Sequence, residues 1–182
     1  MLDLKGKTTL ITGAGGYIGG ETAVLFAERG ANLGVWEVNE CSGIRISNRI
    51  AAAGGRAKSY PMNVSSSADV NQGGEKVLGD FGRLDMCVHA AGGSARLAGE
   101  NSYAPLIKQR DEVIDKVLKV NLYGAIYVAR ACGAAMVKPG VGGRIIFLAS
   151  AVAINGLGGR ADYSAATGGR RSLRKPLAPK LG

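Results

Sequence analysis

The chain has 182 residues, of which 46% are hydrophobic and 20% charged. This composition and length predict a single globular domain spanning residues 1–182, and they exclude a disordered, collagen-like or coiled-coil chain. The net charge is +9, but six of the 23 basic residues lie within residues 160–182, so the excess forms a basic tail and not the basic domain of a specific nucleic-acid binder.

Short apolar runs alternate with helical patterns along the first ninety residues. Strands are predicted at residues 8–12, 33–38, 56–63 and 84–90, and helices between them at residues 17–29, 41–53 and 67–80. We expect the first helix to end at Gly30 and to bury one face, which consists of Ile18, Thr22, Leu25 and Phe26.

The second half continues the alternation. A long helix is predicted over residues 111–138, where Pro139 stops it, and a fifth strand over residues 143–150, apolar enough to be buried on both faces. Apolar strands separated by helices are typical of an α/β fold with a Rossmann-like, doubly wound parallel sheet. In that architecture, the loops after residues 12, 38, 63, 90 and 150 meet at one edge and form the ligand site.

A glycine-rich segment follows the first strand and opens the first helix. Gly13 suits the tight turn, Gly15 and Gly16 allow backbone to approach a pyrophosphate, and Gly19 allows close helix packing. Tyr17 and Ile18 complete this predicted cofactor-binding segment, whose helix N-terminus offers N–H groups to phosphates. An ordinary tight strand-to-helix turn is the alternative interpretation.

Glu37 lies at the end of the second strand, eighteen residues after Gly19. An acidic residue there is expected to accept hydrogen bonds from the adenosine ribose and to repel a 2′-phosphate. Neither Val38 nor Asn39 supplies a compensating cation, so the sequence predicts NAD in preference to NADP. A solvated surface glutamate remains the alternative.

Five segments, in order, resemble the short-chain dehydrogenase/reductase family, with a match from Lys5 to about Leu181. These five follow the glycine segment along the chain: Asn63-Val64, the run from Leu84 to Gly92, Val120-Asn121-Leu122, the run from Arg144 to Ser150, and Tyr163, thirteen positions after Ser150. The resemblance implies that Asn63, Val64, Ala90, Ala91 and Gly92 contact the cofactor, together with Val38 and Tyr163.

The resemblance also implies catalytic roles. Tyr163 would exchange a proton with the substrate oxygen, Ser150 would polarise that oxygen, and Asn121 would hold a proton-relay water. The reaction would be reversible hydride transfer between the nicotinamide and a small carbonyl or alcohol. Taken singly, Asn121 could instead cap or kink a helix, Ser150 could end a strand, and Tyr163 could be a half-buried helix aromatic.

Several residues depart from the family pattern. Thr167 stands where the family has a lysine that lowers the phenol pKa and binds the nicotinamide ribose, and Arg170 or Arg171 could supply positive potential instead. Gly168, Gly169 and Pro176 predict that the tyrosine helix is short and residues 168–182 poorly held. His89-Ala90 replaces an asparagine pair, so side-chain hydrogen bonds are expected to be lost there. The family pattern also normally continues through two more strands.

Three functions remain open: an NAD-dependent oxidoreductase, a catalytically silent NAD-binding relative, and a basic-tail interaction protein. The family usually dimerises through the long helix and the tyrosine helix, so a homo-oligomer, dimer or tetramer, is expected. Three separated cysteines and one histidine predict buried reduced thiols and no metal site. Without a leader pattern, and with Arg130 interrupting the longest apolar run, the chain is predicted to be cytoplasmic and not membrane-bound.

Overall fold

The computed structural model describes residues 3–94, 104–138, 140 and 142–181, with side chains as far as residue 177. Five strands form one parallel sheet in the order β3-β2-β1-β4-β5. Their bounds are β1 Thr8–Thr12, β2 Asn32–Glu37, β3 Arg56–Pro61, β4 Met86–His89 and β5 Arg144–Phe147. The predicted α/β fold with a doubly wound parallel sheet is confirmed.

Helices cover both faces of the sheet. Three connect the first four strands: α1 Tyr17–Glu28, α2 Glu40–Ala52 and α3 Ser67–Phe81. After a 3-10 turn at Leu106–Lys108 come α4 Asp111–Leu118, a π-helical segment at Lys119–Tyr123 and α5 Gly124–Val137. A short α6, Val152–Asn155, and the long α7, Ala161–Leu181, follow β5.

The core consists of two apolar layers, one on each side of β1. Leu10 points into the layer formed with α3 and α5, where Val77 and Val128 are fully buried. Ile11, the next residue, points into the opposite layer with Ile50 of α2. Successive side chains of a strand face opposite sides of a sheet, and because both faces of this sheet are covered, all five residues of β1 are buried.

The buried face of α1 differs from the predicted one. Ile18 and Leu25 are exposed, whereas the buried residues are Gly19, Gly20, Ala23 and Ala27. The reason is steric, because a side chain at Gly19 would collide with the carbonyl of Gly13. A helix that lies this close to the preceding turn needs small residues on its inner face, and the larger apolar residues then face outward.

The long helix predicted over residues 111–138 is present but interrupted. The π-helical segment separates α4 from α5 and contains the fully buried Asn121. By length and composition Asp111–Val137 could cross a membrane, yet 56% of its most apolar window is buried inside the fold. Its α5 portion packs on α3, so its apolar character is that of a core helix. The stop predicted at Pro139 lies outside the described residues.

The fifth strand is shorter and more exposed than predicted. It spans Arg144–Phe147 and not residues 143–150, and its side chains alternate between exposed and half-buried. Among the described residues it pairs with β4 alone, so it lies at the sheet edge. The expectation that it is buried on both faces is wrong because an apolar run does not distinguish a central strand from an edge strand.

Helix α7 is not short. It continues through Gly168, Gly169 and Pro176 to Leu181. The two glycines cost about 1 kcal/mol each in helix propensity. Packing offsets this cost, because Ala166, Thr167 and Arg170 are buried against the fold. A side chain at Gly169 would meet Leu122 of the π-helical segment at 2.8 Å, so glycine allows this close approach.

The cysteines also differ in part from the prediction. Cys87 and Cys132 are buried and reduced, and the pKa of Cys87 is raised by a hydrogen bond with Cys132 and by burial. Cys41, at the start of α2, is exposed. It lies on the solvent face of an amphipathic helix, whose inner face consists of Gly43, Ile46 and Ile50.

Candidate active site at the carboxyl edge of the sheet

A cavity of about 730 Å³ opens at the carboxyl ends of the strands. Residues of the loops after β1, β2, β3 and β4 line it: Gly13, Glu37, Val38, Asn63, Val64, Ala90, Ala91 and Gly92. These four loops therefore meet as the sequence predicts. The fifth loop does not line this cavity, because Ser150 faces a second cavity of about 400 Å³ together with Arg170 and Arg171.

The turn after β1 is built for close contact with backbone. Gly13 has a φ of +65°, and a Cβ there would lie 2.7 Å from the Cα of Ala91. The amide of Gly16 donates to the carbonyl of Gly13 at 3.1 Å, which tightens the turn directly before α1 begins. None of the described side chains caps the N-terminus of α1, and its first turn carries no acidic residue. This end of α1 can therefore accept an anionic group.

Tyr17 and Ile18 are at the mouth of this turn. They are 85% and 62% exposed, respectively, although both are large and one is fully apolar. Side chains this exposed at the first turn of α1 are free to contact a molecule that lies over the helix N-terminus.

Glu37 ends β2 with its carboxylate held over the glycine turn. One oxygen accepts from the amide of Gly15 at 3.0 Å and the other from the amide of Asn39 at 3.1 Å. Val38, beside it, is 70% exposed. Two backbone donors fix the orientation of the carboxylate at the mouth of the cavity, so a ligand hydroxyl would meet an acceptor that is already ordered.

Arg45 of α2 is a residue near this carboxylate that the sequence analysis did not select. Its guanidinium donates to the carbonyl of Gly15 at 3.3 Å. The sequence contains a signal for it, since α2 begins three residues after Glu37 and its second turn returns to the glycine turn. Arg45 is exposed, and its positive charge would attract a cofactor phosphate that the carboxylate of Glu37 would repel.

The far wall of the cavity comes from β3 and α4. Val64 is buried, whereas Asn63 is exposed and its side-chain oxygen accepts from the amide and hydroxyl of Ser65 at 3.0 and 2.7 Å. Charged residues of α4 and the following segment complete the wall: Glu112, Asp115, Lys116 and Lys119. The sequence analysis missed them because no local motif reports which face of a distant helix borders the cavity.

His89 connects β4 to β1. Its Nδ1 lies 2.8 Å from the hydroxyl of Thr12, which also accepts from the amide of Ala91 at 3.1 Å. The expected loss of side-chain hydrogen bonds at this position is therefore wrong. Complete burial, with a smaller contribution from the positive charge of Arg170, lowers the pKa of His89 to about 3. The imidazole is neutral at physiological pH.

Asn121 joins the π-helical segment to the loop after β4. Its amide nitrogen donates to the carbonyl of Gly93 at 2.7 Å and to that of Val117 at 2.9 Å. Its side-chain oxygen accepts from the amide of Gly93 at 3.0 Å. A Cβ at Gly92, whose φ is +155°, would lie 2.5 Å from that oxygen. The side chain of Asn121 thus fixes the backbone where the cavity floor turns.

Arg170 of α7 is buried beneath the same backbone, with 3% of its surface exposed. Its Nε and Nη2 donate to the carbonyl of Asn121 at 3.1 and 2.8 Å, and Nη1 donates to the carbonyl of Leu148 at 2.7 Å. Burial lowers the pKa of Arg170, and Tyr163 partly offsets this. The Asn121 carbonyl is therefore engaged by Arg170 in this structure.

The remaining predicted site residues lie on either side of α6. The hydroxyl of Ser150 accepts from the amide of Val152 at 3.4 Å. Tyr163, in the first turn of α7, is half-buried against Val113 and Val117 of α4. Thr167 is fully buried, and its hydroxyl donates back to the carbonyl of Tyr163 at 2.8 Å. Thr167 therefore does not replace the charge of the family's lysine.

The family model for short chain dehydrogenases matches residues 7–182. The chain belongs to this family. It is 30% identical over 178 residues to the 3-oxoacyl-[acyl-carrier-protein] reductase FabG of Thermotoga maritima, covering 98% of this chain and 69% of the relative. It is 30% identical over 179 residues to the D-threitol dehydrogenase of Mycolicibacterium smegmatis, covering 98% and 66%.

Among solved structures, an NAD⁺-bound xylitol dehydrogenase superposes with a TM-score of 0.90 at 29% identity. The match covers 98% of this chain and 67% of that one. The chain thus spans about two thirds of the length of these relatives. Family membership accounts for the order of Asn121, Ser150 and Tyr163 along the chain, while their roles in this protein remain predictions.

Proposed function

We propose that this short-chain dehydrogenase is an NAD-dependent oxidoreductase. It would transfer a hydride reversibly between the nicotinamide and a small carbonyl or alcohol, and residues 1–182 would form a single NAD(P)-binding Rossmann domain. The observation that carries the proposal is the carboxylate of Glu37, oriented by two backbone amides at the mouth of the 730 Å³ cavity.

The residues present fit a dinucleotide. The glycine turn lies close to the loop after β4, since a Cβ at Gly13 would collide with the backbone of Ala91. The N-terminus of α1, which no described side chain caps, would take the pyrophosphate. Glu37, with Val38, Asn63 and Val64, would hold the adenosine, since these residues lie on the β2 and β3 side of the cavity. Tyr17, Ile18 and the backbone of Ala90, Ala91 and Gly92 would then border the nicotinamide half, towards β4 and β5.

The preference for NAD(H) follows from charge. A carboxylate fixed beside the ribose accepts hydrogen bonds from its hydroxyls and repels a 2′-phosphate. Arg45 opposes this preference, but it is exposed to solvent and engaged with the carbonyl of Gly15. The carboxylate of Glu37 is held in place by hydrogen bonds from two backbone amides, so we expect its negative charge to outweigh the charge of Arg45 at this position. The NAD⁺-bound state of the xylitol dehydrogenase neighbour is consistent with this assignment.

In the proposed reaction, the bound nicotinamide supplies or accepts the hydride. The hydroxyl of Tyr163 would exchange a proton with the substrate oxygen, and the hydroxyl of Ser150 would donate a hydrogen bond to that oxygen. Asn121 would fix the backbone of the loop after β4 through Gly93.

A catalytically silent NAD-binding relative is the second candidate function. It is favoured by Thr167, whose hydroxyl is committed to the carbonyl of Tyr163 and carries no charge. Loss of assistance to proton transfer would reduce the rate by about 100- to 10,000-fold. Cofactor binding with no turnover of any carbonyl or alcohol in a broad panel would select this candidate.

The same proposal includes a homo-oligomer. The outer face formed by the end of the π-helical segment and by α5 carries Tyr123 and Tyr127 in a stacked pair with ring centroids 6.3 Å apart, and Arg130 lies over Tyr127. Tyr123 is 46% exposed. A second copy covering this face would bury these rings, and light scattering during gel filtration would give the assembly mass.

The test of cofactor preference is calorimetric titration with NADH and NADPH. We expect the native protein to bind NADH at least about tenfold more tightly, which corresponds to about 1.4 kcal/mol. Glu37→Ala should narrow the difference, whereas Glu40→Ala, a control with the same charge change at the exposed start of α2, should preserve it. Arg45→Ala should widen it. Tighter NADPH binding by the native protein would refute the assignment.

A further inference from the structure

Arg170 is a buried cation whose surroundings are unusual. The hydrogen bonds that the described residues give it all go to carbonyl oxygens: those of Asn121, Leu148 and Ala91 and the side-chain oxygen of Asn121. Moving a guanidinium out of water is costly, and oriented carbonyl dipoles offset that cost only when several converge. A cation held in this way rigidly connects the groups that surround it.

The three backbone segments that Arg170 connects belong to different parts of the fold. Ala91 follows β4, Leu148 follows β5, and Asn121 lies in the π-helical segment. All three segments adjoin the β4 and β5 side of the carboxyl edge. If the adenosine lies beside Glu37 at the end of β2, the opposite half of the cofactor lies over these segments, because the strand order is β3-β2-β1-β4-β5.

Position 170 also lies on the same helix face as the predicted acid–base residue. Seven residues separate Arg170 from Tyr163, which is two turns of α7. Tyr163 contributes to the electrostatic environment of Arg170. Thr167, one turn from Tyr163, carries no charge and bonds to its own helix. Arg170 is thus a buried positive charge on the face of α7 where the family pattern places a lysine.

Arg171 does not share this position. It is the next residue of the same helix, but its side chain is exposed. Of the two arginines that the sequence left as alternatives, the structure selects Arg170.

We propose that Arg170 is a positioning residue that holds the nicotinamide half of the cofactor site in place of the missing lysine. It acts through the carbonyls of Ala91, Asn121 and Leu148, which it fixes relative to one another, and it supplies the positive potential of that half. This assignment rests on the proposed NAD(H) binding. According to this assignment, Arg170 is needed to bind the nicotinamide half of the cofactor but not the adenosine half beside Glu37.

The experiment compares two ligands by calorimetry. NADH occupies both halves of the site, whereas ADP lacks the nicotinamide and its ribose and reports on the adenosine and pyrophosphate half alone. The variants are Arg170→Met, which removes the charge and all donors, and Arg170→Lys, which keeps the charge but makes fewer hydrogen bonds. Arg171→Met is the matched control, with the same substitution one residue away on the exposed side.

We expect Arg170→Met to weaken NADH binding by about tenfold or more while ADP affinity stays within about twofold of the native value. Arg170→Lys should recover part of the loss, and Arg171→Met should resemble the native protein. Normal ADP binding shows that a variant is folded. If Arg170→Met does not fold, Arg170→Lys carries the comparison, with an intermediate and selective loss of NADH affinity expected.

Two results would overturn the assignment. One is native NADH affinity in both Arg170 variants, and the other is an equal loss of NADH and ADP affinity, which would indicate a general structural role. Failure of the proposed function is distinct, because the native protein would then bind neither ligand, and the assignment would fall with it. If the native protein binds ADP but gains nothing from the nicotinamide and its ribose, only the positioning role is refuted.

Discussion

The neutral, buried His89 makes a quantitative prediction about stability and pH. Its pKa is about 3 in the folded protein because of burial, and about 6.5 in an unfolded chain. As the pH falls below 6.5, the unfolded chain gains a proton that the folded one does not accept. Unfolding therefore becomes more favourable in this window, and the stability due to the neutral histidine is present above pH 6.5 and lost towards pH 3.

The magnitude follows from the linkage relation. Within the window, one proton taken up on unfolding changes the free energy of unfolding by about 1.4 kcal/mol per pH unit. Between pH 7.5 and pH 5.5, the loss due to His89 is about 1.4 kcal/mol, since only the lower unit lies below the unfolded pKa. Asparagine does not titrate, and its side chain can still bond to Thr12, so His89→Asn should lack this loss.

Urea unfolding of both proteins at the two pH values measures the effect. The free energy of unfolding of the native protein, relative to His89→Asn, should fall by about 1.4 kcal/mol on going from pH 7.5 to pH 5.5. Other titrating groups are common to both proteins and cancel in the comparison, as does the cost of the substitution itself. A difference that stays constant across the two pH values would show that the folded protein accepts the proton and would refute the reasoning.

Three further outcomes are expected. Thr167→Lys should raise turnover of a substrate and extend the pH–rate profile towards neutral pH, whereas an unchanged profile with unchanged cofactor affinity would place position 167 away from the family's lysine. Amide exchange should show protection through Arg170 and weaker protection beyond it, and deleting residues 176–182 should leave NADH affinity within about twofold of the native value; a larger loss would make the end of α7 part of the site. A thiol reagent should modify Cys41 alone in the folded protein and all three cysteines in denaturant, and rapid modification of a second thiol would contradict the burial of the other two.

The sequence predicts the parallel sheet and its helices because hydrophobic periodicity, and glycines at the ends of strands and helices, are local signals. It does not predict that α1 turns its glycines and alanines inward, since that choice depends on the approach of Gly13 and Gly19 in three dimensions. The edge position of β5 is equally non-local. A run such as that from Ile145 to Leu148 is compatible with burial on one face or on both, and only the neighbouring strands decide.

The candidate site also has one part that local sequence predicts and another that depends on contacts between distant residues. Glycine spacing and the place of Glu37 at the end of β2 predict four of the loops that line the cavity, whereas the fifth predicted loop, after β5, lines a different cavity. The contribution of Arg170 is not readable from its neighbours in the chain, because its partners, Ala91, Asn121 and Leu148, are 22 to 79 residues away. The prediction of a short tyrosine helix fails for a related reason, since intrinsic propensity does not include the packing of α7 on the rest of the fold.

Trp36, the single tryptophan of the chain, is fully buried in the wall of the 730 Å³ cavity, where Gly73 of α3 leaves room for its ring. The protein therefore carries its single tryptophan fluorophore at the place where the adenosine half of a dinucleotide is proposed to lie. Its emission would respond to occupancy without any label, and a reduced nicotinamide, which absorbs where tryptophan emits, would quench it by energy transfer. Occupancy and redox state of the cofactor could thus be followed optically in a single sample.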